Sequence, residues 1–428
     1  MFPVKEIAKD VRMCHVQTDR FKTACTKITM ALPILTSKEL AATALLSQIL
    51  RHSCKKYPDF TSLSCRMDEL YGAGIGPSAI KLGEAEILRF TATCIDDRFA
   101  LEKGESITGE CAALLAEMLF NPDLVDGSFK EDIIAEEKRL LLQRIDEEIN
   151  DKRRYARVRC EELMCNGEKY GLRRYGTRED VEKLTSEDIC AAWQRILRSS
   201  KVMIASVGSS DGSEIAKIFS DGFAKVDRCA EAAEAEFRTD CGEPKRYEES
   251  FDVNQGKLVL GFRTGNKSYT DDFYAATLAI DLFGGNVYSK LFLNVREKLS
   301  LCYYCWARYI ARKGLMIVDC GIDTANEKKA TDEILAQLED VKNGIFTDED
   351  IEAAKKGMYE RWVGEMDEPS DICCWYADMV YDDEILTPEE MYAELEKVTR
   401  EQICAAAKRI KLDTVYMLSA KEGAENED

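Results

Sequence analysis

Leu184-Thr185-Ser186-Glu187-Asp188-Ile189-Cys190-Ala191-Ala192-Trp193-Gln194-Arg195-Ile196 returns as Val398-Thr399-Arg400-Glu401-Gln402-Ile403-Cys404-Ala405-Ala406-Ala407-Lys408-Arg409-Ile410. Eight of the thirteen positions are identical, and the offset of 214 is half of the 428-residue chain. Stacked solenoid repeats have periods of about 20–50 residues, so a period this long marks a duplicated domain. Each copy, at about 210 residues, is large enough to bury its own core. Two such lobes on one linker are expected to face each other across a cleft, the usual place for a ligand.

The pattern outward from the repeat is the same in both halves. Phe21–Met30 alternates apolar and polar residues, as a half-buried strand does, and Gly256–Phe262 is its counterpart. A helix follows, with Ser37 as its expected cap. It is echoed at Ala275-Ala276-Thr277, which matches Ala41-Ala42-Thr43. Lys81–Ile95 reads as a hairpin region, and helices are expected over roughly 100–120 and 129–165. Val202–Gly208 and Val415–Leu418 read as the closing strands. No glycine fingerprint for a dinucleotide accompanies this alternation. The expected fold class is therefore α+β, two homologous lobes, each a mostly antiparallel sheet covered by helices on one face. The boundaries read as an N-terminal lobe over 1–228, an acidic linker over 229–250, and a C-terminal lobe over 251–428.

Composition excludes several functions. A net charge of -20 argues against nucleic acid and anionic membranes, which need clustered Lys and Arg. No apolar run is long enough to span a bilayer, and the first ten residues carry no signal-peptide core. The 17 cysteines are odd in number and scattered through apolar patterns. They read as buried thiols of a protein in the reducing cytoplasm, not as a disulfide framework.

Several constellations brush against chemistry. Cys302-Tyr303-Tyr304-Cys305 is a C-x-x-C, but it lacks a second pair, and positions i and i+3 of a regular strand point to opposite faces. His52, Cys54 and Cys65 lack a fourth ligand. Gly261–Ser268 misses the phosphate-loop spacing because Asn266 separates Gly265 from Lys267. Gly72-Ala73-Gly74-Ile75-Gly76 reads as a turn. The Glu/Lys runs at 131–153 and 347–356 read as solvated helix faces.

Leu282-Phe283-Gly284-Gly285-Asn286-Val287-Tyr288-Ser289-Lys290-Leu291-Phe292, continuing through Arg296-Glu297-Lys298 to Tyr303, resembles the C-terminal lobe of insulinase/pitrilysin-family zinc peptidases. So do Gly176-Thr177 ahead of Leu184-Thr185, and Tyr57-Pro58 ahead of Leu70-Tyr71-Gly72-Ala73. The resemblance covers essentially the whole chain, duplication included. It implies an inverted zinc motif, H-x-x-E-H, on the first helix of lobe 1 and a further Glu on a later helix. Here the motif falls on Ala44-Leu45-Leu46-Ser47-Gln48, so Ala44, Ser47 and Gln48 stand where His, Glu and His would. The last ligand falls on Gln143 or Arg144. The conclusion also follows without alignment: the chain has two histidines, His15 and His52, and H-x-x-E-H cannot be written anywhere in it.

The resemblance further implies that an Arg and a Tyr of lobe 2 reach the substrate, and these match Arg296 and Tyr303. An Arg fork and a phenol suit a peptide carbonyl or a developing oxyanion. Leu299-Ser300 departs from the Arg-Gly common in the family. Some bacterial members divide the work between two chains, and this sequence resembles the one without zinc. The expectation is a cytoplasmic, substrate-positioning subunit, inactive alone, that binds no cofactor or metal. Its partners would be a homologous H-x-x-E-H subunit, which holds the zinc, and a peptide. The alternative is a scaffolding or peptide-binding protein with no part in proteolysis.

Overall fold

Apolar alternation is realised as two separate sheets in a computed structural model that describes residues 4–232, 236–251, 253, 255–266 and 272–420. Met1–Pro3 of the N-terminal reading, and Lys267 and Ser268 of the glycine loop, lie outside the described residues. The first half supplies β1 (Val4–Ala8), β2 (Val11–Gln17), β3 (Thr23–Pro33), β4 (Gly74–Leu82), β5 (Ala85–Ile95) and β6 (Lys201–Gly208). The second supplies β7 (Lys245–Phe251), β8 (Gly256–Arg263), β9 (Cys302–Ile310), β10 (Leu315–Ile322) and β11 (Lys411–Ala420).

The sheet orders are β1-β2-β6-β3-β5-β4 and β7-β11-β8-β10-β9. Without the extra edge strand β1, the two orders match strand for strand. Each contains one parallel pair, β2 with β6 and β7 with β11, and every other pairing is antiparallel. The duplicated words are the helices that feed the central strands. Thr185 and Thr399 each close a capping box, with Asp188 and Gln402 respectively. The reciprocal hydrogen bonds satisfy two backbone donors at each helix start. Ile189 and Ile403 are fully buried one turn in.

The compact units are not contiguous lobes split at 228 and 251. One comprises Met1–Asp146, Arg173–Glu234 and Trp362–Thr387; the other comprises Glu147–Leu172, Ala235–Arg361 and Pro388–Asp428. In the first, the helix Pro369–Ala377 packs on the sheet face that carries Cys14, Val16, Cys25, Ala205 and Val207. Val11, Met13, Ile28, Met30 and Ile204 point to the other face, under the main helical layer. In the second unit, the helix Lys152–Met164 lies on Val259, Leu315, Ile317, Tyr416 and Leu418. The sheets are thus covered on both faces, which corrects the one-sided expectation. It also explains why β10 is buried at every position instead of alternating.

Three local readings change with the structure. The helix expected over 129–165 breaks into Glu131–Glu147 and Lys152–Met164, with Asp151 capping the second by accepting from the Arg154 amide. Thr36, not Ser37, caps the helix Ser37–Ile49; the Ser37 hydroxyl donates to Asp180 instead, at 2.6 Å. The last six residues of the linker belong to strand β7. Its outward Lys, Arg and Glu residues disguise it as loop, while Glu249 on its inner side takes a hydrogen bond from Arg159 at 2.7 Å.

Candidate functional site

The helix Ser37–Ile49 carries the positions where the resemblance expects zinc ligands. Ala44 and Ser47 are buried, and Gln48 is half-buried. The Ser47 hydroxyl donates to the Ala44 carbonyl at 2.7 Å, and the Gln48 amide donates to Ser47 at 3.0 Å. On the helix Glu131–Glu147, Gln143 and Arg144 are exposed. A methyl, a hydroxyl spent on the backbone, an amide and a guanidinium are not a zinc donor set, so these residues do not fit the ion. One acid does survive nearby in sequence. Glu137, buried, receives His52 Nε2 at 2.7 Å, while its other oxygen is buried without a hydrogen-bond partner. His52, Cys54 and Cys65, already short of a fourth ligand in the sequence, form no group close enough to share an ion among the described residues; Cys54 is buried and Cys65 exposed.

A pocket of about 310 Å³ opens beside the same helix, with Lys38, Glu39, Glu86, Asp188 and Arg195 in its wall. Its charges are already paired: Lys38 with Asp188 at 2.7 Å, and Arg195 with Glu86 at 3.1 Å and Glu231 at 2.8 Å. Burial pushes the Glu86 carboxyl up to about 7, against the pull of Arg195 and of the Thr43 hydroxyl. An acid raised in the fold above its unfolded value is fully protonated in both states at low pH. As pH climbs from about 4.5 to about 7 the unfolded chain ionises first, and stability falls. Glu86→Gln removes this loss. Its stability relative to the parent should rise between pH 4 and pH 8 by up to about 3 kcal/mol. Urea midpoints at the two pH values measure the difference, and a constant offset would refute it.

The Arg-Tyr pair lies wholly in the second unit. The helix Phe273–Ile280 continues into a π-helical turn at Asp281–Gly285, and Arg296 sits on a second π-helical stretch, Leu291–Lys298. There the Leu299 amide reaches back five residues to the Asn294 carbonyl at 3.1 Å. Such wide turns are rare and concentrate at functional sites. The Arg296 guanidinium lies 4.6 Å from the Phe292 ring centroid and 3.6 Å from Glu297. Its side chain is 39% exposed, so the fork is held and still available. Ser300 then takes φ = 48°, the left-handed conformation a glycine would adopt freely. The departure from Arg-Gly therefore leaves the turn itself in place.

Tyr303 is 70% exposed on β9. Its position is set by a β-bulge. β9 pairs in register with β10 from Leu315 to Gly321, which faces Tyr304; Ile322 then faces Cys302. Tyr303 is the extra residue, and bulges re-aim side chains in this way. The bulge also overturns the expectation for the C-x-x-C. With one residue extruded, Cys302 and Cys305 fall on the same face, opposite Ile322 and Cys320. The thiols of Cys302, Cys305 and Cys320 lie within 4.8 Å of one another. Sequence reasoning missed this cluster because neither the bulge nor Cys320 is visible in the local spacing. All 17 cysteines are free and eleven are buried, in line with the reading as thiols. No described helix is long and apolar enough to cross a membrane.

Comparison with known proteins agrees with this geometry. The family model described as the peptidase M16 inactive domain matches residues 183–358. The probable inactive metalloprotease YmfF of Bacillus subtilis (strain 168) is 32% identical over 410 residues, 96% of each chain. Among solved structures, a conserved protein from Enterococcus faecalis V583 superposes with a TM-score of 0.87 at 24% identity over all of both chains. A peptidase M16 inactive domain from Pseudomonas fluorescens superposes at 0.79 with 17% identity over 98% of each. With its duplicated sheets and a first helix bare of ligands, the chain belongs to the M16 family, the insulinase/pitrilysin metallopeptidases, as a member that lacks the H-x-x-E-H motif.

Proposed function

We propose that this chain is the non-catalytic, substrate-positioning subunit of a heteromeric zinc-dependent peptidase that acts on peptides. A homologous subunit with an intact H-x-x-E-H motif holds the zinc, and this chain binds none at its own first helix. The observation that carries the reading is an asymmetry between the halves. The metal positions Ala44, Ser47, Gln48 and Arg144 have no ligating chemistry, while Arg296 and Tyr303 remain accessible on specialised backbone. The chain contributes donors: a planar cation and a phenol hydroxyl, suited to orient a peptide carbonyl and to meet charge as it grows on oxygen.

The test is to mix the chain with an H-x-x-E-H homologue from the same genome. Association at micromolar concentration, and peptide cleavage in the mixture but in neither chain alone, are the expected results. Failure to associate removes the partnership. Association without any cleavage of peptides favours the scaffolding alternative. Introducing Ala44→His, Ser47→Glu and Gln48→His should not restore zinc at the helix, because Arg144 still occupies the last ligand position. Chelator-removable zinc that appears with the triple substitution would contradict this.

A further inference from the structure

Beyond the proposed partnership, and independent of it, the three buried sulfurs call for an occupant. Cys305 and Cys320 face each other across β9 and β10, and Cys302 joins them through the bulge at Tyr303. Their relative exposures are 0%, 1% and 9%, so the group is closed except at Cys302. Among the described residues these three form the one group of His, Cys, Asp or Glu close enough to share an ion, and it contains no imidazole or carboxylate.

Geometry narrows the ion. A metal at about 2.3 Å from each of three thiolates in a plane spaces the sulfurs by about 4 Å, inside the 4.8 Å limit observed. Structural zinc takes four ligands, and no fourth protein donor belongs to this group. Three soft thiolates without a hard ligand select a soft, low-coordinate ion. We propose that Cys302, Cys305 and Cys320 form a trigonal site for a monovalent thiophilic cation of the Cu(I) type. Cys302 is the ligand at the open end of the site. Binding would release the protons of the thiols and would clamp the bulge that presents Tyr303.

The experiment uses the full chain, reduced and free of oxygen, titrated with Cu(I) delivered as its complex with a bathocuproine chelator. One equivalent should leave the chelator, and X-ray absorption should show three sulfur neighbours. Cys302→Ser and Cys320→Ser should each weaken binding by more than the roughly 100-fold that loss of a metal's outer partners costs. Cys65→Ser, at an exposed thiol, should change nothing. Cys302 lies at the rim, so its variant keeps the test usable if a deeper substitution prevents folding; melting curves without metal establish which variants are folded. No transfer from the chelator, or equal transfer to Cys302→Ser, overturns the site. One zinc per chain that Cys302→Ser abolishes overturns the assignment to a monovalent ion. A disulfide among these cysteines in protein alkylated at lysis overturns the metal reading.

Discussion

Arg296→Ala and Tyr303→Phe should each lower the peptidase rate of the two-chain mixture by roughly 10²–10³, the loss seen for a single oxyanion donor. Pairing should be unchanged. The magnitude follows from what each side chain offers. Arg296 is neither buried nor tied into a strong ion pair among the described residues: Glu297 stands at 3.6 Å and is itself more than half exposed. Tyr303 has most of its surface free. Neither does structural work that its removal would undo, so both substitutions should fold normally. A donor fixed in advance acts where charge develops and costs no reorganisation at the moment of reaction. Rates measured at saturating and at limiting peptide separate the roles. A fall in kcat points to the transition state, and a rise in KM alone points to simple holding of the peptide. Unchanged kinetics in both variants, with the complex intact, would favour the scaffolding reading.

Those two residues were singled out by the resemblance of the Arg-Glu-Lys segment, a signal that lies within one short stretch of chain. The duplicated sheets were legible for a similar reason. The capping boxes at Thr185 and Thr399 and the buried Ile189 and Ile403 leave the same short signature in both halves. What was not legible depends on distant pairing. Lys27 is buried in the middle of β3, where a strand reading gives it no partner; it finds the Ser370 carbonyl at 2.8 Å, 343 residues away. Arg12 likewise donates to carbonyls at Val380 and Asp382. Periodicity reports which face is apolar, but not which segment covers it. Helix 152–164 therefore reads as a continuation of its neighbour, and nothing in the sequence marks 369–377 as the cover for the second face of its sheet. The thiol cluster failed to show for a related reason: one extruded residue reverses side-chain parity, and no composition rule announces a bulge.

Glu168→Ala should cost about 3–5 kcal/mol, the loss that follows when one partner of a buried charge pair is removed. Glu168 ends the segment that carries the helix Lys152–Met164, and it is fully enclosed. Arg263 meets it at 2.6 Å and Lys313 at 2.8 Å, with side-chain exposures of 3% and 0%. Arg263 keeps Asp413 at 3.0 Å after the substitution, and Lys313 keeps its hydrogen bond to the Glu236 carbonyl. The cost comes from removing the one carboxylate that meets both of these buried cations. Stabilities of folded domains are about 5–15 kcal/mol, so a loss of this size should be plain in urea midpoints. A second substitution discriminates charge from shape. With Lys313→Met added, one of the two buried cations that Glu168 meets is gone, and part of the stability should return. Acid titration supplies an independent check. Burial alone would raise the Glu168 carboxyl, but the hydrogen bonds and charges of Arg263 and Lys313 outweigh it and hold the group below its ordinary value of 4.5. A depressed acid contributes its stability above the unfolded value and loses it as pH falls through the folded one. Parent protein should therefore lose stability on that acid limb, and Glu168→Gln should lack this part of the loss. A Glu168→Ala cost below about 1 kcal/mol, the scale of exposed ion pairs, would mean that water reaches the triad and that the helix Lys152–Met164 is held by its apolar contacts alone.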